Sequence, residues 1–213
     1  MISTRDIYNL FRNSKGICTD SREIFQGSIF FALKGDNFNG NRFASEALNK
    51  GAIYSVVDEE EYAISDKILL VNNTLETLQD LARMHRNELG LPILAITGTN
   101  GKTTTKELVA AVLSKKFNVS FTQGNLNNHI GVPLTLLKMD DKIEFGVVEM
   151  GANHPGEIAA LCSIANPDYG IITNIGKAHL EGFGSFEGVK KTKSELYHFL
   201  NKKGGIIFYH KNN

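Results

Sequence analysis

Residues 93–104 read Ile-Leu-Ala-Ile-Thr-Gly-Thr-Asn-Gly-Lys-Thr-Thr, and this stretch decides the fold. An apolar strand runs straight into a glycine turn ending in Gly101-Lys102-Thr103, and the helix-forming run 104–116 follows at once. Strand, loop and helix in that order suit a nucleoside triphosphate. Gly98 and Gly101 let the backbone turn tightly, so that its N–H groups converge on phosphate oxygens. The helix start adds unpaired donors and the positive end of its dipole. Lys102 is within reach of β- and γ-phosphates, and the hydroxyl of Thr103 is placed to hold Mg²⁺. One departure from the general pattern G-x-x-x-x-G-K-[ST] is Ile96, which stands where the first glycine would be. The plainer alternative is a tight turn with a solvent-facing lysine.

Outward from this stretch the chain divides in two. Residues 1–85 alternate short elements: a helix capped by Ser3, a strand at 28–33, a helix at 42–50, and strands at 52–57 and 67–71. Asn73 or Thr74 then caps a helix reaching about residue 88, with Leu75, Leu78, Leu81 and Ala82 at helical spacing. Gly90-Leu91-Pro92 breaks it, which places a domain boundary near residue 86. Beyond it, strands at 93–97, 117–122, 145–150, 169–175 and 205–209 recur between helices. They are nearly all apolar, as strands are when helices cover both sheet faces. The expected class is α/β: a small α/β domain at 1–85, then a P-loop domain at 86–213 with a mainly parallel sheet. Ligands of such sheets sit at the carboxyl ends of the strands.

Composition bounds the function. The 213 residues carry 23 basic and 23 acidic side chains, so no bulk attraction to nucleic acid or to an anionic membrane is expected. Cys18 and Cys162 are too few and too far apart for a disulfide framework or a zinc site. Cys162, inside the apolar run 158–164, reads as core. The N-terminus Met-Ile-Ser-Thr-Arg-Asp has no signal-peptide pattern, and no apolar stretch approaches membrane-spanning length. The expectation is a cytoplasmic, monomeric protein.

Polar residues gather at the strand ends. The run Phe145-Gly146-Val147-Val148 ends in Glu149, a natural Mg²⁺ ligand beside a P-loop that supplies one side chain. Glu149 could otherwise be a helix-capping or exposed loop acid. His179 lies in the loop after the next strand, where a surface histidine is an equal alternative. Residues 123–131, Gln-Gly-Asn-Leu-Asn-Asn-His-Ile-Gly, form a polar loop that serves either turn chemistry or amide donation to phosphate and sugar.

Taken together, 97–104, 124–133 (Gly-Asn-Leu-Asn-Asn-His-Ile-Gly-Val-Pro), Glu149-Met150-Gly151 and 178–185 (Ala-His-Leu-Glu-Gly-Phe-Gly-Ser) resemble the Mur ligase family. These are ATP-dependent amide-forming enzymes of peptidoglycan precursor synthesis. In the first domain, Thr19-Asp20-Ser21-Arg22 and 27–35 resemble the family's uridine-nucleotide-binding domain. Residues 149–184 most resemble the branch that joins D-Ala-D-Ala to UDP-N-acetylmuramoyl-tripeptide. The branch adding a diamino acid to the UDP-dipeptide shares the first domain and stays open, as does a fragment that only binds. Folylpolyglutamate synthetases lack the Thr-Asp-Ser-Arg domain.

The resemblance implies specific roles. Gly98, Thr99, Asn100, Gly101, Lys102, Thr103, Thr104 and Asn127 would bind ATP. Ser21, Arg22 and Asn128 would hold the UDP substrate. Thr103, Glu149 and His179 would be metal ligands, with Lys102, Glu149, His179 and Lys193 catalytic. In the helix at 186–200, Lys193 falls where the family carries a lysine carbamylated by CO₂. A phosphate contact is the alternative there, and a solvated basic face with Glu187 paired to Lys190 and Lys191 is the plain reading. Family members are longer and carry a separate C-terminal domain. The expectation is therefore a catalytically incomplete fragment with an exposed sheet edge.

Overall fold

The computed structural model describes residues 1–176 and 183–211. Two compact units divide it, Met1–His85 and Arg86–Asn213.

In the first unit, helix α1 (Thr4–Arg12) starts at Ser3, whose hydroxyl accepts the Asp6 N–H, and buries Ile7, Tyr8 and Phe11. Strands β1 (Ile17–Cys18) and β2 (Ile29–Phe31) lead into an antiparallel hairpin of β3 (Lys34–Gly35) and β4 (Phe38–Asn39). Helix α2 (Ala44–Asn49), β5 (Tyr54–Val57) and β6 (Ile68–Leu70) follow. The four longer-range strands form one parallel sheet in the order β1-β2-β5-β6. Phe30, Ala32, Ala44, Ala47, Ala52, Val57 and Ile68 close the core between this sheet and α2. The hairpin was not anticipated from sequence, because Lys34 and Phe38 carry no alternating apolar pattern. Asp58, just past β5, accepts from Lys34 at 3.0 Å and from the Asn41 amide at 2.9 Å. Burial pushes its carboxyl up, but the bonds from Asn41 and Lys34 outweigh that and hold it below the usual range.

Helix α3 (Thr74–Leu89) has Asn73 at its start, with the side chain accepting the Glu76 N–H at 3.0 Å. In the second unit, β7 (Ile93–Thr97), α4 (Lys102–Leu113), β8 (Val119–Phe121), α5 (Gly131–Leu137), β9 (Phe145–Glu149), α6 (Glu157–Ala165), β10 (Tyr169–Ile172), α7 (Phe186–Lys203) and β11 (Ile206–Phe208) succeed one another. All five strands are parallel, in the order β11-β10-β7-β9-β8. Leu94, Ile96 and Val147 face Val109 and Leu113 of α4, while α5 and α7 cover the opposite side of the strands. The strand after β7 lies to one side and β10 to the other, so the chain reverses direction around β7. Crevices at the carboxyl ends of strands beside such a reversal are where these sheets bind ligands. The exposed Ile206 and Phe208 lie on β11, an edge strand.

Arg86 anchors this sheet from below. Its guanidinium donates to Ala165 O at 3.0 Å, Asn166 O at 3.1 Å and the Asp168 carboxylate at 2.9 Å. The same carboxylate accepts the Ile93 N–H at 3.0 Å, where β7 begins, and Lys203 of α7 at 2.9 Å. Arg86 is buried, so truncating it strands two carbonyls and half of an ion pair. Arg86→Ala is expected to destabilise the chain by about 2–3 kcal/mol, read as a lower urea midpoint. An unchanged midpoint would deny the cluster its structural role.

Candidate functional site

The glycine loop follows β7 directly. Gly98 (φ +146°) and Gly101 (φ +75°) both hold backbone conformations that L side chains rarely adopt. A Cβ on Gly98 would lie 2.1 Å from Thr173 Oγ1, so the loop approaches the end of β10 with no space for a side chain. That approach is stitched by hydrogen bonds. Thr99 N–H donates to Asn174 O at 3.0 Å, Asn100 N–H to Asn174 Oδ1 at 3.0 Å, and Thr173 Oγ1 to Asn100 O at 2.6 Å. Gly176 N–H donates to Thr99 Oγ1 at 2.9 Å. Thr173 and Asn174 were not assigned a role from sequence. Their position past a strand at the same sheet end as the loop was the available signal.

Lys102 opens α4 and curls over the loop, donating to Gly98 O at 3.0 Å and Thr99 O at 3.1 Å. Thr103 and Thr104 lie exposed on the first turn of the helix. Thr103 Oγ1 donates to Glu149 Oε2 at 3.0 Å. The other carboxylate oxygen of Glu149 accepts the Asn127 amide at 2.8 Å. At 2 % exposure, Glu149 is not the exposed loop acid that sequence left open. The structure thus brings Gly98, Thr99, Asn100, Gly101, Lys102, Thr103, Thr104, Asn127 and Glu149 to one sheet end. Asn128 sits beside them, and its side-chain Oδ1 accepts Ile130 N–H at 3.1 Å and Gly131 N–H at 2.9 Å just before α5. His179 lies outside the described residues.

Lys193 of α7 is 3 % exposed, its ammonium 3.5 Å from Ala152 O and 5.5 Å from the Phe183 ring centre. Burial, aided by the positive charge of Lys102 and opposed by Glu157 and Glu195, pushes its pKa down to about 8. Glu195, two residues on, accepts Gly156 N–H at 2.8 Å and Ala159 N–H at 2.9 Å, tying α7 to the start of α6. Cys162 is wholly buried and pushed up to about 12 by that burial, which makes it inert.

The donor chemistry suits Mg²⁺. Thr103 Oγ1 and Glu149 Oε2 are hard oxygens 3.0 Å apart at the mouth of the loop. Among the described residues no three His, Cys, Asp or Glu side chains converge on one point. Mg²⁺ tolerates such a sparse protein set because it keeps waters and takes phosphate oxygens.

In the first unit, Ser21 and Arg22 follow β1. Arg22 Nε donates to Asp20 Oδ1 at 2.9 Å and its terminal nitrogen to Oδ2 at 2.5 Å. The Arg22 guanidinium holds the Asp20 carboxyl down at about 2. Arg22 remains 85 % exposed, so the rest of its planar fork faces solvent. Lys50 donates to Ser21 O at 2.9 Å and fixes the turn.

Comparison with known proteins identifies the family. Residues 96–213 match the Mur ligase middle domain, and residues 13–86 match the Mur ligase family catalytic domain. The UDP-N-acetylmuramoyl-tripeptide–D-alanyl-D-alanine ligase of Bacillus subtilis is 41 % identical over 199 residues, covering 91 % of this chain and 43 % of that protein. Its Haemophilus influenzae counterpart is 43 % identical over 195 residues, covering 90 % of this chain and 43 % of that protein. The crystal structure of MurF ligase from Thermotoga maritima, in complex with ADP, superposes with a TM-score of 0.81 at 38 % identity. That match covers 90 % of this chain and 44 % of the Thermotoga chain. The chain thus spans under half the length of these relatives. With its middle-domain match running over more than half of the residues, the chain belongs to the Mur ligase family.

Proposed function

We propose that this chain supplies the UDP-substrate-binding and ATP-binding parts of a ligase that joins D-Ala-D-Ala to UDP-N-acetylmuramoyl-tripeptide. The observation that carries the reading is the Glu149 carboxylate, held between the Thr103 hydroxyl at 3.0 Å and the Asn127 amide at 2.8 Å beside the glycine loop. The relatives that match nearly all of this chain bear the name of that activity.

In this reaction the tripeptide carboxylate attacks the γ-phosphorus of ATP. An acyl phosphate forms, the bond to ADP breaks, and the dipeptide amine then displaces phosphate from the acyl carbon. Two anions must meet, so the task of the protein is charge neutralisation and alignment. Backbone N–H groups of residues 101–104 cradle the phosphates, those of Thr99 and Asn100 being held by Asn174, and Lys102 exchanges its loop carbonyls for phosphate oxygens. Thr103 and Glu149 would hold Mg²⁺, with His179 and a carbamylated Lys193 serving a further ion. Bound there, Mg²⁺ would neutralise charge on the β- and γ-phosphates. Residues 1–85 form the UDP-binding domain and 86–213 the ATPase domain in this reading. Ser21 and the free edge of Arg22 meet the UDP end, since a planar guanidinium suits a diphosphate. Asn128, whose Oδ1 is taken by Ile130 and Gly131 N–H, keeps its amide nitrogen for the same substrate.

The experiment is a paired binding and turnover assay. The 213-residue chain is expected to bind UDP-N-acetylmuramoyl-tripeptide by calorimetry, and Arg22→Ala to weaken that binding about tenfold, the worth of one charge-assisted contact. The full-length gene product is expected to form the pentapeptide with D-Ala-D-Ala. Turnover instead with UDP-dipeptide and a diamino acid would assign the neighbouring branch.

A further inference from the structure

Parallel strands bond in a fixed pattern. A residue that donates to the carbonyl of residue j−1 on its neighbour accepts, at its own carbonyl, from the N–H of residue j+1. β8 and β9 keep the register Val119↔Phe145, Ser120↔Gly146 and Phe121↔Val147. Thr122 takes the next step, donating its N–H to Val147 O at 3.0 Å. The pattern then assigns its carbonyl to the Glu149 N–H. The structure breaks the pattern at that bond. Glu149 N–H donates instead to Thr122 Oγ1 at 3.0 Å, and Thr122 O accepts from Lys106 Nζ at 2.7 Å.

Lys106 is wholly buried on α4, one turn beyond Lys102. Its ammonium lies 3.1 Å from the Glu107 carboxylate and 5.7 Å from the Phe121 ring centre. A buried cation demands strong acceptors, and Lys106 takes the Thr122 carbonyl from the ladder. The Thr122 hydroxyl then fills the vacated acceptor role. Past this point the chain leaves β9 and loops back, so that Asn127 O accepts Gly151 N–H at 2.8 Å and its amide reaches Glu149.

We propose that Lys106 is a positioning residue: by holding the Thr122 carbonyl out of the β8–β9 ladder, it sets Glu149 and Asn127 in their joint geometry for the metal–nucleotide. The proposal rests on the nucleotide reading above, yet concerns a residue that touches neither nucleotide nor metal. A residue acting only through the metal ligands weakens the metal-bound nucleotide and spares the metal-free one.

The test titrates the chain with ADP by calorimetry, in Mg²⁺ and in EDTA. Lys106→Met keeps the apolar stem and removes the ammonium. It is expected to weaken Mg–ADP binding by about 10- to 100-fold while metal-free ADP changes by less than about twofold. A crystal structure of the variant is expected to have Glu149 N–H on the Thr122 carbonyl and Asn127 withdrawn from Glu149. Unchanged Mg–ADP affinity, an equal loss with and without metal, or a variant that keeps the parted strands would each overturn the proposal. Should Lys106→Met fail to fold, Thr122→Val leaves the lysine in place and removes the hydroxyl, and the same metal-selective loss is expected. A wild-type chain that binds no ADP at all would remove the nucleotide reading, leaving the variant structure to decide the role of Lys106.

Discussion

Replacing Lys102 by alanine is expected to lower phosphoryl transfer by the full-length gene product about 10³-fold or more, the scale of lost charge stabilisation at a transferring phosphoryl group. The loop 97–104 contains no other cationic side chain. In the folded chain the ammonium is held by Gly98 O and Thr99 O, both acceptors within its own loop. Exchanging them for phosphate oxygens therefore disturbs nothing else. For the same reason the variant is expected to melt close to the wild type, since the bonds it loses lie within the loop itself. The measurement is ADP release under saturating substrates, alongside a thermal midpoint. Near-normal turnover in a folded variant would remove the loop from the chemistry, and a large drop in midpoint would recast Lys102 as structural. Lys102→Arg is expected to recover little, because a planar fork does not match the geometry of a compact ammonium among backbone donors.

The glycine loop was legible because its pattern is local: strand, two glycines, lysine and helix follow one another within 93–104. Glu149 was legible too, as a carboxylate closing an apolar strand. What sequence could not supply was whether that carboxylate is buried, since its partners Thr103 and Asn127 stand 46 and 22 residues away. Helix α5 was implied between the strands at 117–122 and 145–150 but given no bounds, for a different reason. Gly131 and Pro133 both signal turns, yet proline is compatible with a first helical turn, where its missing N–H has no partner to lose. β8 and β10 are shorter than the strands expected at 117–122 and 169–175: Thr122 and Thr173 still donate their N–H to Val147 O and Thr97 O, but the regular pairing stops one residue earlier. In α7 the period did contain the answer. Val189, Thr192, Lys193, Leu196 and Leu200 share the buried face, so Lys193 belongs with the core residues. Lys190 belongs with solvent, 4.0 Å from Glu187.

That placement of Lys193 makes its replacement the second large effect. A carbamate forms when a neutral amine attacks CO₂: the N–C bond closes, one proton leaves, and a cation becomes an anionic oxygen donor. The step needs unprotonated amine. With its pKa down at about 8, roughly one Lys193 in ten is neutral at pH 7, against fewer than about one in a thousand for an ordinary lysine. The surroundings also give the product a use, because the positive charge of Lys102, which adds to burial in depressing Lys193, would attract a carbamate there. Lys193→Ala is expected to lower turnover of the full-length gene product about 10²-fold or more. Added formate or acetate is expected to restore part of it by supplying the missing carboxylate. The same depression has a stability signature. The unfolded chain binds more protons than the folded one between about pH 8 and the ordinary lysine range, so this residue makes stability rise with pH across that window. Lys193→Met is expected to flatten that rise in urea titrations. An alanine variant as active as wild type would exclude an essential role. An inactive one that no small carboxylate rescues would favour a direct contact between the ammonium and a phosphate.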